Sequence, residues 1–100
     1  MPKFNLSAQA NLSEPWRSRI LSTFGTANFK VMRMSADAYP EETHEFAEGL
    51  LVIDGQMNLS VAGEAVAVSS GELYVVPQGV PHSVLPDSHG ILVVLDDQAG

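Results

Sequence analysis

Gly71-Glu-Leu-Tyr-Val-Val-Pro77-Gln-Gly79-Val-Pro-His82 reads as a strand, a tight bend and a histidine delivered into the next strand. Gly71 closes the turn begun by Ser69 and Ser70, and Leu73–Val76 is a short, apolar, β-prone run. Pro77 then fixes φ and Gly79 permits φ > 0, so the chain bends between them. His82 leaves this bend from rigid backbone. That suits a metal ligand, because ligand geometry must be close to right before the ion arrives. The plainer alternative is a hairpin whose histidine packs or faces water.

Upstream, Glu42-Thr-His44-Glu-Phe-Ala-Glu48 enters another β-prone run, with Gly55 beyond it. Strands place alternate residues on one face, so residues 44, 46 and 48 point the same way if pairing is regular, and Glu42 continues that parity into a loop. With His82, this gives two imidazoles and one or two carboxylates. Such a nitrogen and oxygen set suits Fe, Mn, Ni, Zn or Cu more than Ca.

The rest of the chain reads as β-structure. Strands are expected at Arg19–Phe24, Phe29–Ser35, Glu48–Asp54, Gln56–Val61, Ala65–Val68, Leu73–Val76, Val80–Leu85 and Ile91–Leu95. Asp54-Gly55 is expected to form a type I′ hairpin, and Tyr39–Glu42 a loop. Strands spaced eight to twelve residues apart argue for a sandwich or barrel. Leu50–Ile53 and Ile91–Leu95 are apolar on both faces, which places them centrally or at an interface. Residues 1–16 alternate Phe4, Leu6, Ala8, Ala10 and Leu12 with polar neighbours. They are read as an extended N-terminal arm ahead of a single barrel domain at 17–100.

Composition narrows the partners. A net charge of −7, with five Lys and Arg among 100 residues, argues against nucleic acid and against an anionic membrane surface. The absence of Cys excludes disulfides and thiolate ligands. The opening Met-Pro-Lys-Phe-Asn lacks the apolar core of a secretory leader, and no apolar run nears the ~20 residues of a membrane helix. The default expectation is a soluble cytoplasmic protein. A thin core without disulfides makes a homodimer attractive as extra burial.

Residues 17–96 resemble a small single-domain cupin. The family's second motif, Gly-x5-Pro-x-Gly-x2-His-x3-Asn, is matched by Gly71, Pro77, Gly79 and His82, with Pro86 where Asn is usual. Its first motif, Gly-x5-His-x-His-x3-4-Glu-x6-Gly, is matched by His44, Glu48 and Gly55. Glu42 stands where the first histidine is usual, and Ala36 where the leading glycine is. The resemblance implies an all-β jelly-roll barrel with a divalent transition metal (Fe, Mn, Ni or Zn) held inside one end by His44, Glu48 and His82. Glu42 is then a fourth ligand, an acceptor that orients an imidazole, or a free general base. The substitution is equally compatible with a degenerate site that no longer holds metal.

The expected function is a metal-dependent enzyme acting on a small molecule inside the barrel, by oxygenase, isomerase or lyase chemistry. The alternative is a non-catalytic ligand-binding or sensor module. His89 is read as a solvent-facing turn histidine, Met32 and Met34 as core, and Arg33 as a rim residue. No phosphate loop, nucleophile elbow or Ser–His–Asp set is present.

Overall fold

A computed structural model describes residues 3–98. A short helix, α1 (Leu6–Ala10), precedes eight strands: β1 (Arg19–Phe24), β2 (Ala27–Met34), β3 (Tyr39–Glu42), β4 (Glu48–Val61), β5 (Glu64–Ser69), β6 (Leu73–Val76), β7 (His82–Val84) and β8 (His89–Asp97). All recorded pairings are antiparallel. The strands follow the order β1-β2-β8-β4-β7-β3, and β5 and β6 also pair with β4.

β4 is the spine of the curled sheet. Its first half lies between β6 and β8, and its second half between β5 and β7. One strand serves both halves because it bends at a register shift between Val52 and Asp54, where an extra residue increases local twist. The Asp54-Gly55 hairpin expected from the sequence does not form. Gly55 lies opposite Gly90 in the ladder with β8, and both have positive φ. A Cβ on Gly55 would collide with the His89 carbonyl oxygen, and one on Gly90 with the Asp54 carbonyl oxygen. The glycine there serves close backbone approach rather than a turn. The two-residue turn falls at Ala62-Gly63, where both φ values are positive, as a type I′ turn requires.

Two apolar clusters line the two faces of the sheet. Inside are Met34, Leu50, Val52, Met57, Leu59, Val76, Val84, Leu92 and Val94. Outside are Val31, Ile91 and Val93, covered by Ala10 and Leu6 of α1. This explains the doubly apolar strands: β8 is central, between β2 and β4, and buries residues on both faces.

The N-terminal segment is therefore not an extended arm. Asn5 caps α1 by accepting the Ala8 N–H at 3.0 Å. Ala10 is 1% exposed, so tertiary burial overrides the alternating pattern. Arg33 Nη2 donates to the Ser13 carbonyl at 3.0 Å, and Trp16 N–H donates to the Arg33 carbonyl at 2.8 Å, tying the segment to β2. Tyr39–Glu42 is likewise a strand and not a loop. It pairs with β7 at the sheet's edge, where Pro40 costs no central ladder bond. No helix among the described residues is long and apolar enough to cross a membrane.

Candidate metal centre

The bend expected at Pro77–Gly79 is present, with Gly79 at φ +78° and the Val80 N–H closing the turn on the Pro77 carbonyl at 3.2 Å. The Gly79 N–H donates to the His44 carbonyl at 2.9 Å, so the bend ties the two motif segments together. β7 then carries His82 between β3 and β4, opposite Glu42 on one side and Val61 on the other. Glu48 opens β4 opposite Val76. His44 lies between β3 and β4, stacked on Phe46 with ring centroids 4.9 Å apart. Residues 43–47 are not a strand, so His44 and Glu48 converge through the curl of this connection and not through strand alternation.

The four expected side chains meet. His82 Nε2 lies 3.2 Å from Glu48 Oε1, and His44 Nε2 lies 3.7 Å from Glu48 Oε2 and 3.4 Å from Glu42 Oε2. One ligand atom each from Glu42, His44 and His82 falls within a single 4.8 Å cluster, whereas Glu48 meets the two histidines through different carboxylate oxygens. His82 Nδ1 is 3.1 Å from the Val80 carbonyl oxygen. A proton on Nδ1 satisfies that carbonyl and leaves the Nε2 lone pair aimed at Glu48. Nε2 of both histidines is buried without a hydrogen-bond partner.

Two acceptors 3.2 Å apart repel unless a proton or cation lies between them. Donor atoms bound to one ion at about 2.0–2.2 Å lie about 2.8–3.6 Å from one another in right-angled or tetrahedral arrangements. Two of the three measured separations lie in that range and the third is just beyond it. The residues present therefore fit a divalent ion. Burial is the main cause that raises the Glu48 carboxyl above its ordinary range; His44 and His82 oppose the rise, and Glu42 and Asp96 add to it.

The cluster opens into a cavity of about 270 Å³ inside the barrel. Met32, Leu50, Leu59 and Leu92 form apolar walls, and Trp16, Tyr39 and Phe46 are aromatic neighbours. Sequence reading placed Met32 and Met34 in the core; Met34 is buried there, while Met32 packs against it and also lines the cavity. Arg33 is not a rim residue: it is half-buried on the outer face of β2, which lies between β1 and β8, with Nε buried and Nη2 on the Ser13 carbonyl. His89 is exposed as expected but opens β8 rather than sitting in a turn.

Two cavity residues escaped the sequence reading. Lys30 Nζ lies 2.6 Å from Asp96 Oδ2, and Asn28 Nδ2 donates to Asp96 Oδ1 at 2.9 Å. The available signal was parity: Lys30 shares its strand face with Met32 and Met34, and Asp96 shares its face with Leu92 and Val94. Charged residues at those positions face the barrel interior.

Comparison with known proteins agrees with this architecture. The chain is 37% identical over 65 residues to quercetin 2,3-dioxygenase of Bacillus subtilis (strain 168), a match covering 61% of this chain and 19% of that protein. It thus spans about a fifth of that relative's length. A cupin-2 domain containing protein from Shewanella frigidimarina superposes with a TM-score of 0.86 at 18% identity, covering 96% of this chain and 95% of that one. A protein from Neisseria meningitidis superposes with a TM-score of 0.80 at 24% identity, over 95% and 98% of the two chains. The family model for the cupin domain, Cupin_2, matches residues 30–96. With both motif segments at one end of a curled β-sheet and that match spanning most of its length, the chain belongs to the cupin family.

Proposed function

We propose that this chain is a metal-dependent enzyme acting on a small molecule held in the barrel. The observation that carries the reading is the pair of buried, unpartnered Nε2 atoms facing the Glu48 and Glu42 carboxylates. In it, His44, Glu48 and His82 hold a divalent transition metal, which supplies Lewis-acid or redox chemistry when bound. Val80 fixes the His82 tautomer through its carbonyl. Glu42, the more exposed carboxylate of the two beside His44, either completes the ligand set or stays free to accept a substrate proton as general base. The apolar walls exclude water from the bound molecule. Similarity to the quercetin dioxygenase supports oxygen-dependent chemistry ahead of isomerase or lyase chemistry.

The test is oxygen uptake and product analysis with metal-reconstituted protein across a panel of small phenols, enols and hydroxy acids, beside the His82→Ala variant. Turnover that disappears in the variant supports the enzyme. Ligand binding without turnover in any metal form favours the second reading, a binding or sensor module. That alternative draws its support from Glu42 standing half-buried in place of an imidazole.

We also propose a homodimer. Phe24, Leu73 and Val75 are exposed apolar side chains that α1 leaves uncovered. Sedimentation at roughly tens of micromolar should show a dimer, and a lone monomer boundary would overturn the pairing.

A further inference from the structure

Lys30 is the one Lys or Arg in the cavity lining among the described residues, although the chain has five. It projects from β2 between Met32 and Asn28 on the inward face, opposite Val94. A lysine at such a position loses hydration and needs compensation. Asp96 supplies part of it with a contact of 2.6 Å, and the side chains are 21% and 10% exposed. Asp96 is itself fixed by Asn28 at its other oxygen. An ammonium has three N–H donors, and among the described residues only Asp96 accepts one from Lys30. Its remaining donors are available to a group entering the cavity, whose lining combines Met32, Leu50, Leu59 and Leu92 with the side chains of the metal cluster.

Resting on the reading that this cavity holds the substrate, we propose that Lys30 is a specificity-determining residue that receives a carboxylate on a small molecule with an apolar body. The metal-site carboxylates Glu42 and Glu48, and Asp96 itself, disfavour an anion that enters without a matching cation. The Asp96 charge is already shared between Lys30 and Asn28, so the spare Lys30 donors serve the incoming group. A cavity of about 270 Å³, near the small end of ligand sites, suits a molecule about the size of a substituted benzoate. The substrate would then be held at two points, its reacting end toward His44, Glu48 and His82 and its carboxylate toward Lys30.

The experiment is calorimetric and NMR titration of the protein with acetate, butyrate and benzoate, each beside its amide, in metal-loaded and chelator-treated forms. Wild-type protein should bind at least one carboxylate about tenfold or more tightly than the matching amide, with shifts at β2 and β8 amides. Lys30→Met should lose that preference, and Lys30→Arg should keep part of it. Metal content should be unchanged in both variants, which separates failure of this proposal from failure of the metal site. If Lys30→Met does not fold, Lys30→Met/Asp96→Asn removes both charges and should show the same loss. Equal binding of carboxylates and amides by the wild type, or an undiminished preference in the folded variants, would overturn the assignment.

Discussion

The two ends of the barrel interior obey opposite rules. The floor is apolar and closed: Val52 and Leu59 are 0% exposed and Leu92 is 1% exposed, each in contact with further aliphatic side chains. The mouth gathers Glu42, Glu48 and Asp96 with His44, His82 and Lys30 in the same cavity. Burial stabilises the fold at the floor, by about 1.5–3 kcal/mol for each large side chain fully removed from water. At the mouth, burial holds acceptors against acceptors and raises the Glu48 carboxyl. The difference teaches that the floor holds the mouth in an arrangement the mouth would not adopt alone. Without a proton or cation, the mouth costs stability.

Substitutions at the two ends should therefore dissociate stability from metal binding. The largest effect on the mouth is expected from His82→Ala, which should weaken metal affinity at least about 100-fold while leaving the far-ultraviolet spectrum intact. Loss of the fold together with the metal would break the comparison. At the floor, Leu59→Ala should cost about 2–5 kcal/mol in denaturant unfolding, with metal stoichiometry unchanged in the folded fraction. Between the ends, Gly90→Ala places a Cβ against the Asp54 carbonyl at a φ of +102°, and should cost about 1–3 kcal/mol or more. A neutral result there would mean that the β4–β8 crossing is looser than described.

The Glu48→Gln variant sharpens the contrast through pH. Burial raises the Glu48 carboxyl, so the folded metal-free protein holds this proton more tightly than the unfolded chain does. Its contribution to stability is complete below the ordinary carboxyl range and is lost as pH rises through the raised one. Chelator-treated Glu48→Gln should therefore melt higher than wild type above that range, and the gap should close at acid pH. A gap independent of pH would contradict the assignment. Glu42→Gln should have the smallest effect, about a tenfold loss of metal affinity if Glu42 ligates and little change if it is a free base, as a competition titration would read.

Much of the scaffold was legible because local chemistry and tertiary environment agree. Leu73–Val76 was bounded correctly by Gly71 and Pro77, and His82 leaves the expected bend. Leu50–Ile53 and Ile91–Leu95, read as central or interfacial, belong to β4 and β8 in the middle of the sheet. Asp54-Gly55 misled because a glycine needed for close strand crossing looks, in one dimension, like a glycine needed for a turn. Residues 6–10 misled because five residues are too few for a helical period to outweigh accidental alternation, and the burial of Ala10 against β2 and β8 is a tertiary fact. Glu42, His44, Glu48 and His82 were singled out by type and spacing, and the fold brings them to one place. Lys30 and Asp96 were not, because their pairing joins strands 66 residues apart in the chain.

Elemental analysis of purified, untagged protein beside His82→Ala tests the central claim most directly. The account predicts a transition metal near one per chain in the wild type and its loss in the variant. Wild-type protein that holds no metal, even after anaerobic reconstitution with Fe, Mn, Ni and Zn in turn, would contradict it and leave the binding module as the better description.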